Sequence, residues 1–231
     1  MSRKQLGGTP TLGMDANRFV KEGSDAESWR NYARSIRRSA DALWECWAEA
    51  VPDAVVAMSN EAPDADAKFE SAYGYVASAQ MLYGLALETA FKASILANSP
   101  ETVEIQITTD GRGEVTAAEL KQLGVPMSKG HDLVALATKA GAFYRGAGAI
   151  YSADSDYAAL QAILGHLTDM VVWMGRYPIP RRSGQGFQPP EGVPSVAFGH
   201  RMIDWIDPVL DFFLQSPDGE AMLEPDTGAT L

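Results

Sequence analysis

Cysteine is almost missing from this chain: Cys46 stands alone among 231 residues. An intramolecular disulfide is therefore excluded, and the usage fits a reducing compartment. Histidine is nearly as scarce, with three scattered copies. No cluster has the spacing of a zinc site, so no metal is expected. No apolar run reaches the roughly 18 uncharged residues of a membrane span. The nearest, MLYGLALETAFKASILA, carries Glu88 and Lys92 in its middle. The opening MSRKQLGGTPTLGMDANRF is basic at its start but lacks an apolar stretch of signal-peptide length. Positive charge is short as well, 19 Lys and Arg against 30 Asp and Glu, for a net of −11. That balance disfavours non-specific nucleic-acid binding, which depends on neutralising phosphates. No phosphate-cradling loop occurs, since YRGAGAIYS lacks the lysine of a P-loop and SGQGF reads as a flexible loop. These absences predict a cytoplasmic protein with no membrane segment, no cofactor and no DNA-binding motif.

What is present is helical periodicity. From about residue 25, Trp29, Tyr32, Ile36, Ala40, Leu43 and Trp47 recur at helical spacing, with Arg30, Arg34, Arg37, Asp41 and Glu45 on the opposite side. The spacing predicts an amphipathic helix over 25–50, closed by Pro52. A second helix is predicted over 66–98. Its first apolar face holds Phe69, Ala72, Val76, Tyr83, Leu87, Ala90 and Phe91, and its second half is apolar nearly all round. Such a helix belongs at the centre of others.

Residues 101–129 break the pattern: VEIQITTDGRGEV reads as a short hairpin, and TAAELKQLGVP as a helical turn or two. Further helices are predicted near 131–140, 154–175 and 195–215. Ser152 or Asp154 is available to cap the second of these. Pro208 must kink or restart the last, with Asp207 as a new cap. The fold class is thus all-α, an up-and-down helical bundle of about five helices with a short irregular or β-hairpin excursion near 101–128. The expected organisation is a mobile leader over 1–24, a single bundle domain over 25–216 and a flexible tail over 217–231.

Three segments in order, YGLALETAFKASILA, GHDLVALATKAG and VVWMGRYPIP, resemble the HEPN-like superfamily of helical nucleotide-binding domains. They are most similar to bacterial members with a GHDL turn and a W-x-GRYP-x-P end. The resemblance spans about 73–180 and implies a four- or five-helix bundle, commonly dimeric. Family members are RNA-cleaving toxins or defence effectors, or else non-catalytic nucleotide- or protein-binding modules. Catalytic members carry an arginine followed four to six residues later by a histidine. That spacing occurs nowhere here: after Arg176 and Arg182 the next histidine is His200. The expected function is therefore a non-catalytic binding or scaffold module of a stress or defence system. The alternative is an RNA-cleaving effector with a rearranged site.

The residues that would carry either role are few. His131 and Arg176 are the catalytic candidates; Glu88, Lys92, Asp132 and Tyr177 are the ligand-binding candidates. At a helix entry, His131 would meet unpaired backbone N–H groups that keep its imidazole neutral; the plainer reading is that His131 and Asp132 cap the turn. Glu88 lies in the most apolar stretch and must be paired, either with Lys92 one turn on or across to His131 or Arg176. Arg176, followed by Tyr177 and Pro178, suits a helix stop first and a phosphate anchor with a stacking ring second. The stripe of Arg30, Arg34 and Arg37 is a solvated face, an acid- or RNA-binding patch, or a match for another copy's acidic surface. His166 and His200 read as packed or surface histidines. The tryptophans read as core or dimer-interface anchors, from which a homodimer is expected.

Overall fold

The computed structural model describes residues 14–174, 177 and 199–215. Among them are six helices and one small antiparallel sheet, so the chain is mostly helical, with a β-hairpin where residues 101–128 interrupt the helical pattern. The helices are α1 (Ala16–Gly23), α2 (Ala26–Ser59), α3 (Ala65–Asn98), α4 (Leu133–Ala140), α5 (Asp154–Asp169) and α6 (Ile203–Leu214). The strands β1 (Val103–Thr109) and β2 (Val115–Leu123) lie between α3 and α4.

The stretch read as an aperiodic leader contains α1. Asp15 caps it by accepting the Arg18 N–H at 2.9 Å, and Arg18 pairs with Glu22 one turn later. Asp25 then caps α2, its carboxylate taking the N–H groups of Glu27 and Ser28. Pro52 does not end α2. The helix continues seven residues further, to Ser59, with Ala54 and Ala57 buried in its last turns. Packing against α3 outweighs the stop signal, which is worth about 3 kcal/mol in a helix interior. The chain reverses at Glu61, whose φ of 50° is left-handed.

α2 and α3 are antiparallel: Tyr83 donates its hydroxyl to Asp41 at 2.7 Å, and Trp44 meets the Tyr83 ring edge-on. From Ala86 to Leu96 every α3 side chain but Lys92 is buried, as the apolar pattern requires. One core cluster joins α3 to Ala33 and Ala40 of α2, Leu133 and Leu136 of α4, Leu160 and Leu164 of α5, and Ile206 and Phe213 of α6. Phe69, assigned by periodicity to the inner face, is instead exposed.

TAAELKQL is not a helical turn. It forms β2, antiparallel to β1, with Val103 opposite Leu123 and Glu104 opposite Gln122. Its helix-forming residues yield to the ladder that β1 offers. Leu123 points into the core, and Gly124, at φ 71°, lies against Ile95 so closely that a Cβ would come within 2.5 Å of it.

Further on, α4 ends at Gly141 in the left-handed conformation, as GHDLVALATKAG implies. α5 starts with Ala153 at its cap position, so neither Ser152 nor Asp154 caps it. It ends in a π-helical turn, Met170–Met174, rather than continuing as α-helix. α6 runs through Pro208 without restarting, and Asp207 is not a cap. Its carboxylate instead takes the Arg37 guanidinium at 2.8 Å, while Asp211 takes the other Arg37 nitrogen at 2.5 Å.

Candidate functional site

Glu88 is the pivot of the polar group that the sequence singles out. One turn apart on α3, Lys92 donates to Glu88 Oε1 at 2.6 Å. After the β-hairpin the chain returns over this spot and enters α4, which places His131 Nδ1 at 2.9 Å from Glu88 Oε2. Both carboxylate oxygens of a side chain only 8% exposed are thereby engaged, whereas the His131 side chain is 62% exposed. A buried carboxylate requires such partners, since a lone charge there is prohibitively unfavourable.

The entry to α4 is fixed from two more directions. Asp132 Oδ1 accepts the Ala135 N–H at 3.0 Å, which makes Asp132 the helix cap. The Leu133 N–H donates to Thr168 Oγ1 at 3.0 Å, tying α4 to α5. Thr168 had no signal in the sequence, because a lone threonine on a helix predicts no partner. Chemically, the arrangement holds one imidazole edge on a carboxylate and turns the rest of the ring outward. That orientation suits a fixed hydrogen-bonding group and also suits a base.

Tyr177 stacks on Trp173 at the end of the π turn, ring centroids 4.3 Å apart. Arg176 lies outside the described residues. Of the six candidates, the structure brings together Glu88, Lys92 and His131, with Asp132 next to them as a cap.

The basic stripe does not form an open patch. Arg30 is buried and contacts Glu27 at 3.2 Å. Arg34 reaches Glu27 at 2.6 Å and also the Leu214 carbonyl at the end of α6. Arg37 clasps α6 through Asp207 and Asp211. Burial raises the Asp207 carboxyl pKa, against the pull of Arg37, and Asp41 and Asp211 add to the rise. The tryptophans are likewise engaged within the chain: Trp29 donates to the Gly23 carbonyl at 3.2 Å, and Trp44 and Trp205 pack on the core. Of the remaining histidines, His200 meets Trp47 edge-on at 6.2 Å, and His166 is a core residue.

A concave place lies elsewhere on the molecule, with little signal in the sequence. The loop between α4 and α5 borders an open hollow of about 570 Å³, lined by Arg145, Gly146, Gly148, Tyr151, Ser152 and Tyr157 among others. The Arg145 guanidinium sits 3.9 Å from the Tyr157 ring centroid and pairs with Asp154. Its only trace in the sequence is the glycine-rich YRGAGAIYS. α4 and α5 are antiparallel, with Leu133 beside Thr168. The cavity and the Glu88 group are therefore separated by about 20 Å along α5.

Among the described residues no helix is long and apolar enough to cross a membrane, and no three His, Cys, Asp or Glu side chains could share a metal ion. No protein-family model matches the chain, and neither does any curated protein or solved structure.

Proposed function

We propose that the chain is a non-catalytic binding or scaffold module of the HEPN-like type, an up-and-down bundle acting in the cytoplasm of a bacterium within a stress or defence system. The observation that carries this reading is the engagement of Glu88 by both Lys92 and His131. A fully paired polar node inside a helical protein fixes helix register, and architecture alone accounts for it. The absent arginine–histidine spacing and the net charge of −11 support the same side. A homodimer belongs to this reading through the resemblance alone, because Trp29, Trp44 and Trp205 pack within their own chain.

A second reading, an RNA-cleaving effector with a rearranged site, has one observation in its favour. Glu88 orients an exposed His131 imidazole, which is how a base is presented. One pair of measurements separates the two. Fluorescent single-stranded RNA is incubated with the protein and with His131→Ala, and cleavage and anisotropy are followed together. The module reading expects no cleavage by either protein. Cleavage by the unsubstituted chain that His131→Ala abolishes would replace it with the second reading. Light scattering at micromolar concentration tests the dimer.

A further inference from the structure

Beyond residue 44 of α2 and before residue 79 of α3, the two helices run on together as a hairpin. Each arm of about fifteen residues extends it by about 20 Å. Over this length the only buried side chains are Ala54, Ala57, Ala65 and Ala72, which make the seam between the arms. The usual order of sizes is inverted here: the small residues are inside, and the large apolar ones are outside. Val55, Met58, Phe69 and Tyr73 are each 49–59% exposed.

These four do not point in separate directions. Val55 and Met58 follow Trp47 and Val51 at intervals of four and three along α2, and Phe69, Tyr73 and Val76 keep the same intervals on α3. Each set is one flank of its helix. In an antiparallel pair, the flank reached by advancing from the seam lies on the same side for both helices, so the two sets join into one face. Exposed apolar residues occur singly on most proteins, but a continuous apolar face across two helices marks an interaction surface.

Charge decides what covers it. Between residues 45 and 76 stand seven Asp and Glu against Lys68 alone, a net of −6 within a chain of −11. Lys68 is already paired with Asp64 at 3.1 Å. Asp66 and Glu70 border the apolar face. A second copy would set another hairpin of net −6 against this one, with its own Asp66 and Glu70 beside the same apolar residues, a juxtaposition that like-charge repulsion opposes. We infer that the α2–α3 hairpin face docks a basic amphipathic helix of another protein. The partner's apolar side would lie on Val55, Met58, Phe69 and Tyr73, and its lysines or arginines beside Asp66 and Glu70. Recognition of this kind lays one apolar stripe into the groove between two helices. It is independent of the role proposed for Glu88 and His131.

The test uses the full chain and two fluorescein-labelled amphipathic helical peptides, one of leucine and lysine, the other of leucine and glutamate. Anisotropy is measured with the unsubstituted protein, with V55S/F69S and with Phe69→Leu. Binding of the lysine peptide, weakened about tenfold or more by V55S/F69S but kept by Phe69→Leu, is the expected result. The thermal midpoint should stay unchanged, since both side chains are solvent-facing. Three results overturn the inference. The lysine peptide binds no better than the glutamate peptide. The lysine peptide binds V55S/F69S as tightly as the unsubstituted chain. The protein is a dimer that V55S/F69S dissociates, which assigns the face to a second copy.

Discussion

Gln80 and His166, 86 positions apart, close a hydrogen bond inside the core. The His166 Nε2–H donates to Gln80 Oε1 at 3.0 Å. Gln80 stands on α3 and His166 on α5, and four residues later on α3 Gly84 faces Leu167 of α5 and Val171 of the π turn that follows it. The two helices therefore run side by side in the same direction, with a polar pair and a glycine contact as successive points of register.

The buried histidine makes stability depend on pH. Burial lowers the His166 pKa from 6.5 to about 4. Between those values the unfolded chain binds the proton that the native state refuses. The contribution is therefore fully present above pH 6.5 and is lost as pH falls toward 4. By pH 5 the loss amounts to about 2 kcal/mol. Urea midpoints at pH 7 and pH 5 measure it, and His166→Gln should shrink the difference between them.

Glu88→Ala removes the shared acceptor of Lys92 and His131 and should cost about 3 kcal/mol, in the range for breaking a buried ion pair. His131→Ala should cost under about 1 kcal/mol, because that ring is mostly solvated and Lys92 still holds Glu88. Urea unfolding of both variants checks the order. Equal losses would show that Glu88 is not the pivot.

Arg37→Ala leaves Asp41, Asp207 and Asp211 together without their shared cation. The clasp is half-buried, so the expected loss is about 1–2 kcal/mol, between exposed and buried pairs. Adding Asp207→Asn should restore part of it, because burial already disfavours the charged form of Asp207. A double-mutant cycle by chemical denaturation reads the coupling, and strict additivity would mean that Arg37 does not hold α6 through Asp207.

Gly84→Ala places a Cβ 2.6 Å from Val171 Cγ2 and 3.2 Å from the Leu167 carbonyl. Overpacking of this kind costs about 1–3 kcal/mol. Val171→Ala in the same chain should recover only part of the loss, since the carbonyl is backbone and cannot withdraw. Thermal unfolding of the single and double variants decides it.

Much of this architecture was legible because long apolar periodicity survives any packing arrangement. The all-round apolar character of Ala86 to Leu96 predicted a central helix, and the structure buries it on every side. Asp132 and Gly141 marked the ends of α4 through cap chemistry that acts within one turn. Errors arose where a distant partner overruled a local signal. Pro52 read as a stop and Pro208 as a kink or a restart, yet the helix runs on through each of them. TAAELKQL has helical composition, but β1 lies close enough to pair with it. The arginine stripe looked solvated because its partners Asp207, Asp211 and the Leu214 carbonyl lie more than 150 residues away. Glu88, by contrast, announced its need for partners through its apolar surroundings, although whether the second would be His131 or Arg176 stayed open.

The chain enters and leaves the β-hairpin at one point of the helical body. The Gly124 N–H donates to the Thr102 carbonyl at 3.1 Å, closing entry onto exit. Everything between is a detour whose ends are one hydrogen bond apart. The hairpin's outer rungs can therefore be lengthened, exchanged for another sequence or trimmed toward a tight turn without redirecting α3 or α4. The residues near 105 and 120 set the limit of such a graft, because there Ile105 and Leu120 line an apolar groove together with Phe19 and Trp29 of the helical body. Outboard of them, the tip around Asp110 and Gly113 is a natural attachment point for a tag or a reporter.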